Sequence, residues 1–239
     1  NNYRDGDLRL KYSINDAEGV IRLVTEKGKT LFSGIDSYRL HDENVTKEKM
    51  EAIFKKIGDR TKRGDVFLLF MAGHGVTEEA DGMYYFLPVD FRYTGPESIA
   101  GQGISMNDFK RFLTNIQAMK TLLLIDTCNS GSFSEAVASR GVTEKTALSK
   151  LARTVGRATI AASSKNQVAL EGYEGHGVFS YTLLEGMKGK AADKKGIITI
   201  NHLATFIEET LPELTFKKWG YEQIPQKSLI GSDFSIGVK

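Results

Sequence analysis

The sequence contains a single cysteine, and its position suggests a nucleophile. Cys128 follows the apolar run Leu122–Ile125 and precedes small polar residues and glycine. This pattern predicts a buried strand that runs into a loop. A thiol with an ordinary pKa of about 8.5 is mostly protonated at neutral pH, and only the thiolate attacks well. Nucleophilic chemistry at Cys128 therefore needs a nearby base, and a buried structural cysteine is the alternative.

A second apolar run supplies a candidate base. Residues 65–72 predict a buried strand that ends in Gly73-His74-Gly75. Because the carboxyl ends of parallel strands meet at one sheet edge, we expect His74 to lie near Cys128. An imidazole there can accept the thiol proton and later protonate a leaving amine. The small neighbours of His74 let a peptide backbone approach. The backbone N–H groups near Gly75 and Cys128 could stabilise a developing oxyanion by about 3–4 kcal/mol.

The other histidines are weaker candidates for this role. His176 also lies in a Gly-His-Gly sequence, but it opens a predicted helix, which favours a packing role at the helix start. His41 is flanked by charged residues, which favours a solvated surface position. His202 lies in an amphipathic helical pattern, which favours a structural role.

The remaining elements predict an α/β fold with a mostly parallel central sheet and helices on both faces. Helices are predicted from Ser13, after a Thr46 cap, from Ser105, from His176, and over 201–211 with a stop at Pro212. Strands are predicted over 38–41, 65–72, 84–90, 121–126, 157–162 and 197–200.

Composition gives indications about the partners, the cellular location and the cofactors of the protein. The chain has 239 residues, a net charge of +2 and 26% charged residues, which gives no argument for nucleic acid or membrane as a partner. A single cysteine allows no intrachain disulfide, and neither a signal core nor an apolar run of about 18 residues occurs. We therefore expect a cytoplasmic location. The sequence contains neither zinc-ligand spacing nor a phosphate-binding loop, which predicts that no cofactor is needed.

Two motifs, one around His74 and a later one around Cys128, resemble those of the caspase superfamily of cysteine peptidases (clan CD). They are the strand with Gly73-His74-Gly75 and the strand with Asp126-Thr-Cys128-Asn-Ser-Gly-Ser132. The resemblance is greatest to the prokaryotic caspase-like and metacaspase branch, and residues 169–186 are similar to its small-subunit portion. His74 precedes Cys128 by 54 residues, close to the spacing of about 50 in caspases.

The resemblance implies a caspase-like three-layer sandwich and a cysteine endopeptidase. In that family His74 would be the base, Cys128 the nucleophile, and the N–H groups of Gly75 and Cys128 the oxyanion donors. A single peptidase domain would span 1–239, with a large-subunit-like part over 1–131, a linker over 132–156 and a small-subunit-like part over 157–239. The family's first strand would lie before Asn1 and is expected to be missing from this chain.

The resemblance also bears on the substrate. Animal caspases bind aspartate through arginines, whereas metacaspases bind arginine or lysine through acidic residues. Asp126 matches one of those acidic positions, Asp16 matches the other, and Glu171 could add charge nearby. Two carboxylates suit the rigid fork of a guanidinium. The alternatives are a helix-start charge for Asp16 and a strand-end hydrogen-bonding group for Asp126.

An Arg/Lys preference makes the linker a candidate site of self-cleavage. Arg140 and Lys145 are the predicted sites, and Arg140 precedes Gly141 in the least structured part of the linker pattern.

The sequence departs from the metacaspase pattern at two places. Ala72 stands where metacaspases often carry serine, two residues before the histidine. The family's calcium site uses a longer acidic insertion, whereas here Glu78, Glu79 and Asp81 occupy a short loop, and Glu135 stands where an acidic ligand would be expected. This pattern favours an exposed acidic turn over calcium activation, which stays an alternative.

The expected partners are protein or peptide substrates with basic residues, together with an activating partner or further domains outside this chain. Two other functions stay open. The chain could be a catalytically silent caspase-fold interaction module, or a clan CD protease with a different side-chain preference, similar to legumain or gingipain.

Overall fold

The computed structural model describes residues 1–78, 82–128, 158–162 and 170–239, and at Cys128 and Glu171 it describes the backbone alone. The predicted linker and the predicted cleavage sites Arg140 and Lys145 lie outside the described residues, as do Glu79, Asp81 and Glu135.

A six-stranded central sheet organises the described part of the chain. Its strands, in spatial order, are β3 (Ile104–Ser105), β2 (Tyr84–Phe86), β1 (Val66–Thr77), β4 (Lys120–Cys128), β5 (Ala158–Ala161) and β9 (Gln226–Ser228). The pairs β1–β4 and β4–β5 are parallel, and the other neighbours are antiparallel. The smaller sheets pair β6 (Glu171–Tyr173) with β7 (His176–Gly177), and β8 (Ile197–Thr199) with β10 (Ser235–Val238).

The described ranges contain six α-helices, which cover both faces of the sheet. They are α1 (Ser13–Gly28), α2 (Lys47–Gly58), α3 (Glu97–Gln102), α4 (Met106–Thr114), α5 (Val178–Glu185) and α6 (Ile200–Trp219). Alternate residues of β4 enter opposite cores, as the period of two in a strand requires. Leu122 and Leu124 pack with α1, α5 and α6, whereas Leu123 and Ile125 pack with α2 and α4. The predicted α/β sandwich is therefore confirmed.

Two helix starts follow the predicted capping chemistry. Thr46 Oγ1 accepts a hydrogen bond from the Lys49 N–H at the start of α2. Ser105 and Asp108 form a reciprocal capping box at the start of α4. A hydroxyl at these positions satisfies amide groups that have no partner within the helix.

The predicted end of the histidine strand was wrong. β1 does not stop before Gly73 but continues through Gly73-His74-Gly75 to Thr77. The extension exists because Gly75–Thr77 pair with Tyr84–Phe86 of β2, a partner that the local sequence does not reveal. His74 therefore sits inside a strand, where its backbone is fixed by neighbours.

Three other predicted elements were also wrong. Residues 38–41 form no strand, because no described strand pairs with their backbone. The strand predicted over 84–90 ends at Phe86, before Pro88. Pro212 does not stop α6, because the helix is anchored on both sides of it by the buried Leu211 and Thr215.

Within the described ranges, no helix is both long enough and apolar enough to cross a bilayer.

The extension of β1 past His74 predicts a specific cost at Gly75. A Cβ at this position would lie 2.2 Å from Tyr84 Oη, and the fully buried Tyr84 cannot move aside. Gly75→Ala should lower the free energy of unfolding by about 1–3 kcal/mol in denaturant titrations. Gly101→Ala is the matched control, because nothing lies within 4 Å of its Cβ position in α3. It should leave stability unchanged or raise it by up to about 1 kcal/mol. Equal stability of the two variants would contradict this packing.

Candidate active site

The register between β1 and β4 brings the two candidate catalytic residues together. The parallel pairing runs from Val66 opposite Lys120 to His74 opposite Cys128. Adjacent strands lie about 4.8 Å apart, so the backbones of His74 and Cys128 are direct neighbours. The same register sets Ala72 opposite Asp126, two residues before the cysteine. The side chain of Cys128 lies outside what the structure describes.

His74 is held by the N-terminal segment. The residue is only 4% exposed, and Nε2 lies 2.8 Å from the carbonyl oxygen of Leu8. A carbonyl oxygen can only accept, so Nε2 must carry the hydrogen in this contact. In the neutral ring Nδ1 then carries the lone pair. The contact with Leu8 thus assigns Nδ1 as the basic atom of His74.

Tyr3 fixes the position of His74 from a second direction. Its ring centroid lies 5.1 Å from that of the imidazole. Its hydroxyl donates to the Leu87 carbonyl and accepts the backbone N–H of His74, both at 3.1 Å. Burial raises the pKa of Tyr3 far above its usual value, so the phenol stays neutral. A Cβ at Gly73 would lie 2.8 Å from this hydroxyl, which explains the glycine before His74.

The two predicted pocket carboxylates converge on one glycine. An ideal Cβ on Gly177 would lie 3.1 Å from Asp126 Oδ2 and 3.3 Å from Asp16 Oδ2. Asp16 comes from the first turn of α1 and Asp126 from β4, 110 residues later in the sequence. Their approach to the same point therefore depends on the packing of α1 and β7 beside the sheet.

His176 contacts one of these carboxylates. Its Nδ1 lies 2.7 Å from Asp16 Oδ1, and the N–H of Gly177 donates to Asp16 Oδ2 at 3.2 Å. Partial burial lowers the pKa of His176, and the positive charges of Lys188 and Arg22 act in the same direction. The adjacent Asp16 carboxylate favours protonation and opposes this shift. Although His176 was expected to open a helix, it lies in β7, one residue before the N-cap of α5.

Ser180 performs a similar task for the other carboxylate. Its hydroxyl lies in the third position of α5 and donates to Asp126 Oδ2 at 2.5 Å. Ser180, Tyr3 and Leu8 were not predicted from the sequence. No sequence signal marks a backbone carbonyl such as that of Leu8, but the glycine at 73 was a clue to the close approach of Tyr3.

The structure also locates the backbone of Gly75 and of Glu171, two further predicted site residues. Gly75 pairs with Phe86 and packs against Tyr84, so its small size serves packing as well as access. Glu171 lies in β6 with its backbone opposite Gly177, and its side chain is not described. The oxyanion roles of Gly75 and Cys128 stay predictions. Among the described residues, no group of three or more His, Cys, Asp or Glu side chains is arranged to hold a metal ion.

Comparison with known proteins identifies the family. The family model described as the caspase domain matches residues 1–231, so the chain belongs to the caspase-domain family. This family consists largely of clan CD cysteine peptidases and includes inactive members. No curated protein matches the chain.

A solved structure shares the fold. The crystal structure of protein GSU0716 from Geobacter sulfurreducens matches with a TM-score of 0.60 and 16% sequence identity. The match covers 94% of this chain and 86% of the other. At this identity the likeness concerns the fold alone.

The two Gly-His-Gly histidines are predicted to be opposite tautomers. His74 should carry its hydrogen on Nε2, which faces the Leu8 carbonyl, and His176 on Nδ1, which faces Asp16. Long-range ¹H–¹⁵N spectra at about pH 8, above the usual histidine pKa, can distinguish the two forms in one sample. His74→Gln and His176→Gln assign the signals. Detection of His74 as the Nδ1–H tautomer would contradict its placement as a base acting through Nδ1.

Proposed function

We propose that this protein is a metacaspase-like cysteine endopeptidase that cleaves peptide bonds after arginine or lysine. His74 is the base and Cys128 the nucleophile. The observation that carries the proposal is the β1–β4 register, which sets His74 opposite Cys128 and leaves Asp126 two residues earlier on the same strand. Membership of a family composed largely of cysteine peptidases supports the reaction class.

The proposed reaction uses the His74–Cys128 pair twice. Nδ1 of His74 takes the proton of the Cys128 thiol, and the thiolate attacks the carbonyl carbon of the scissile bond. The backbone N–H groups of Gly75 and Cys128 donate to the oxyanion that forms. The imidazolium then protonates the leaving amine, and a thioester remains on Cys128. Water, deprotonated by His74, attacks the thioester and releases the new carboxyl terminus and the thiol.

The proposed pocket selects the side chain before the scissile bond. Asp16 and Asp126 approach the same point beside Gly177, and two carboxylates match the paired donors of a guanidinium. A lysine ammonium can contact the same oxygens as a point charge. An aspartate side chain would meet like charges and is disfavoured. Glu171 is a further acidic candidate for this pocket.

The Arg/Lys preference and the dyad can be tested together with fluorogenic peptides. Peptides ending in Arg or Lys should be hydrolysed, and a matched peptide ending in Asp should not be. Cys128→Ala and His74→Ala should each reduce turnover by at least about a thousand-fold. Faster cleavage of the Asp peptide would indicate a clan CD protease of different specificity. If neither peptide is cleaved in a Cys128-dependent way, a catalytically silent interaction module would be favoured.

Self-cleavage in the 132–156 linker is a separate expectation of an Arg/Lys-specific enzyme. Purified wild-type protein should yield two fragments in intact-mass spectra, with the new terminus after Arg140 or Lys145. Cys128→Ala should stay intact, and Arg140→Gln with Lys145→Gln should slow the cut without slowing hydrolysis of a small Arg peptide. Identical intact masses for wild type and Cys128→Ala would count against self-processing.

A further inference from the structure

The Asp16 carboxylate is deeply buried and therefore depends on the donors around it. The residue is 3% exposed, and burying a carboxylate without hydrogen bonds is strongly unfavourable. Each of its oxygens accepts a hydrogen bond from β7: Oδ1 from the His176 imidazole and Oδ2 from the Gly177 amide. Because these donors approach both oxygens, they fix the plane of the carboxylate as well as its position.

The glycine between His176 and α5 leaves little room for a side chain at this position. Gly177 has φ −63° and ψ 144°, a conformation open to any residue. A Cβ there would lie 3.1 Å from Asp126 Oδ2 and 3.3 Å from Asp16 Oδ2, closer than ordinary contact. A side chain at this position would therefore force the two carboxylates to shift by a few tenths of an ångström.

One five-residue segment, His176–Ser180, contacts both carboxylates. His176 and Gly177 bond Asp16, and three residues later Ser180 bonds Asp126. Ser180 is fully buried in the first turn of α5, so its hydroxyl has little freedom to seek another partner. The segment thus fixes the position of Asp126 relative to Asp16, although the two carboxylates come from different elements.

The chemistry of these donors suits a pocket for a cation. A neutral imidazole, an amide and a hydroxyl orient a carboxylate without adding a formal positive charge. An arginine in the same places would orient the carboxylates equally well but would repel a basic substrate side chain.

We propose that His176 and Ser180 are specificity-determining positioning residues, which hold Asp16 and Asp126 in the geometry that binds a guanidinium or amidinium group. The inference rests on the proposed function, because it assigns the supports of the same pocket. His176 and Ser180 act through the carboxylates and not on the scissile bond.

Binding of p-aminobenzamidine to Cys128→Ala tests this inference without catalysis. The probe is a planar amidinium that fluoresces on binding, and the background variant removes any contribution from the nucleophile. Adding His176→Phe or Ser180→Ala should each weaken binding by about 10-fold or more, since a hydrogen bond to a charged group is lost. Gly177→Ala should also weaken binding, because its methyl group enters the space between the carboxylates.

Matched variants separate positioning from general damage. His176→Asn keeps a donor near the Nδ1 position and should restore binding to within about 3-fold of the parent, because one neutral donor replaces another. His41→Phe removes a histidine outside the pocket, and Thr182→Val removes a buried α5 hydroxyl that bonds only the Val178 carbonyl among the described contacts. Both should bind like the parent. Thermal unfolding checks each variant, and Ser180→Ala, which removes a single oxygen, tests the inference even if His176→Phe does not fold.

Three outcomes are informative. Weakened binding in His176→Phe and Ser180→Ala, with recovery in His176→Asn, supports the inference. Equal binding by all folded variants overturns it and leaves the proposed function standing. No binding by the Cys128→Ala parent overturns the acidic pocket itself, and with it both the Arg/Lys preference and the role of its supports. In the active enzyme, the supporting variants should raise KM for an Arg peptide more than they lower kcat.

Discussion

The parallel pairing of β1 with β4 is the constraint on which the rest of the site depends. It sets His74 opposite Cys128 and Ala72 opposite Asp126. Because side chains alternate along a strand, a slip of one residue would exchange the two faces of β4. The register is fixed by two hydrophobic cores at once, since Leu122 and Leu124 enter one and Leu123 and Ile125 the other. Buried leucines on both faces thus hold a polar pair in place several residues away.

The residues that position these groups come from two segments that are far apart in the sequence. Leu8 and Tyr3 fix the imidazole of His74. The segment His176–Ser180 holds the carboxylates of Asp16 and Asp126. In each case a backbone group or a neutral side chain orients a group proposed to act on the substrate. The glycines at 73 and 177 let these supports approach closely, because a Cβ at either position would intrude on them.

Much of the architecture could be predicted from local patterns. The apolar runs of β1 and β4, the Thr46 and Ser105 caps and the first helix follow from periodicity and capping chemistry. The wrong predictions of element boundaries share a cause, because tertiary contacts determine where these elements end. β1 continues past His74 because β2 pairs with it, and α6 continues through Pro212 because buried residues anchor it on both sides. The approach of Asp16 to Asp126 was proposed only through family resemblance. The contacts of His176, Ser180 and Leu8 join residues too distant in sequence for any local pattern to reveal.

We propose that a pair of carboxylates beside the His74–Cys128 dyad selects a basic side chain. The most direct test compares kcat/KM for two peptides that differ only in arginine or citrulline before the scissile bond, since citrulline keeps the shape but lacks the charge. The wild-type enzyme should prefer arginine by about 100-fold, and this preference should fall toward unity in Asp126→Asn. Equal cleavage of the two peptides by the wild-type enzyme would contradict it.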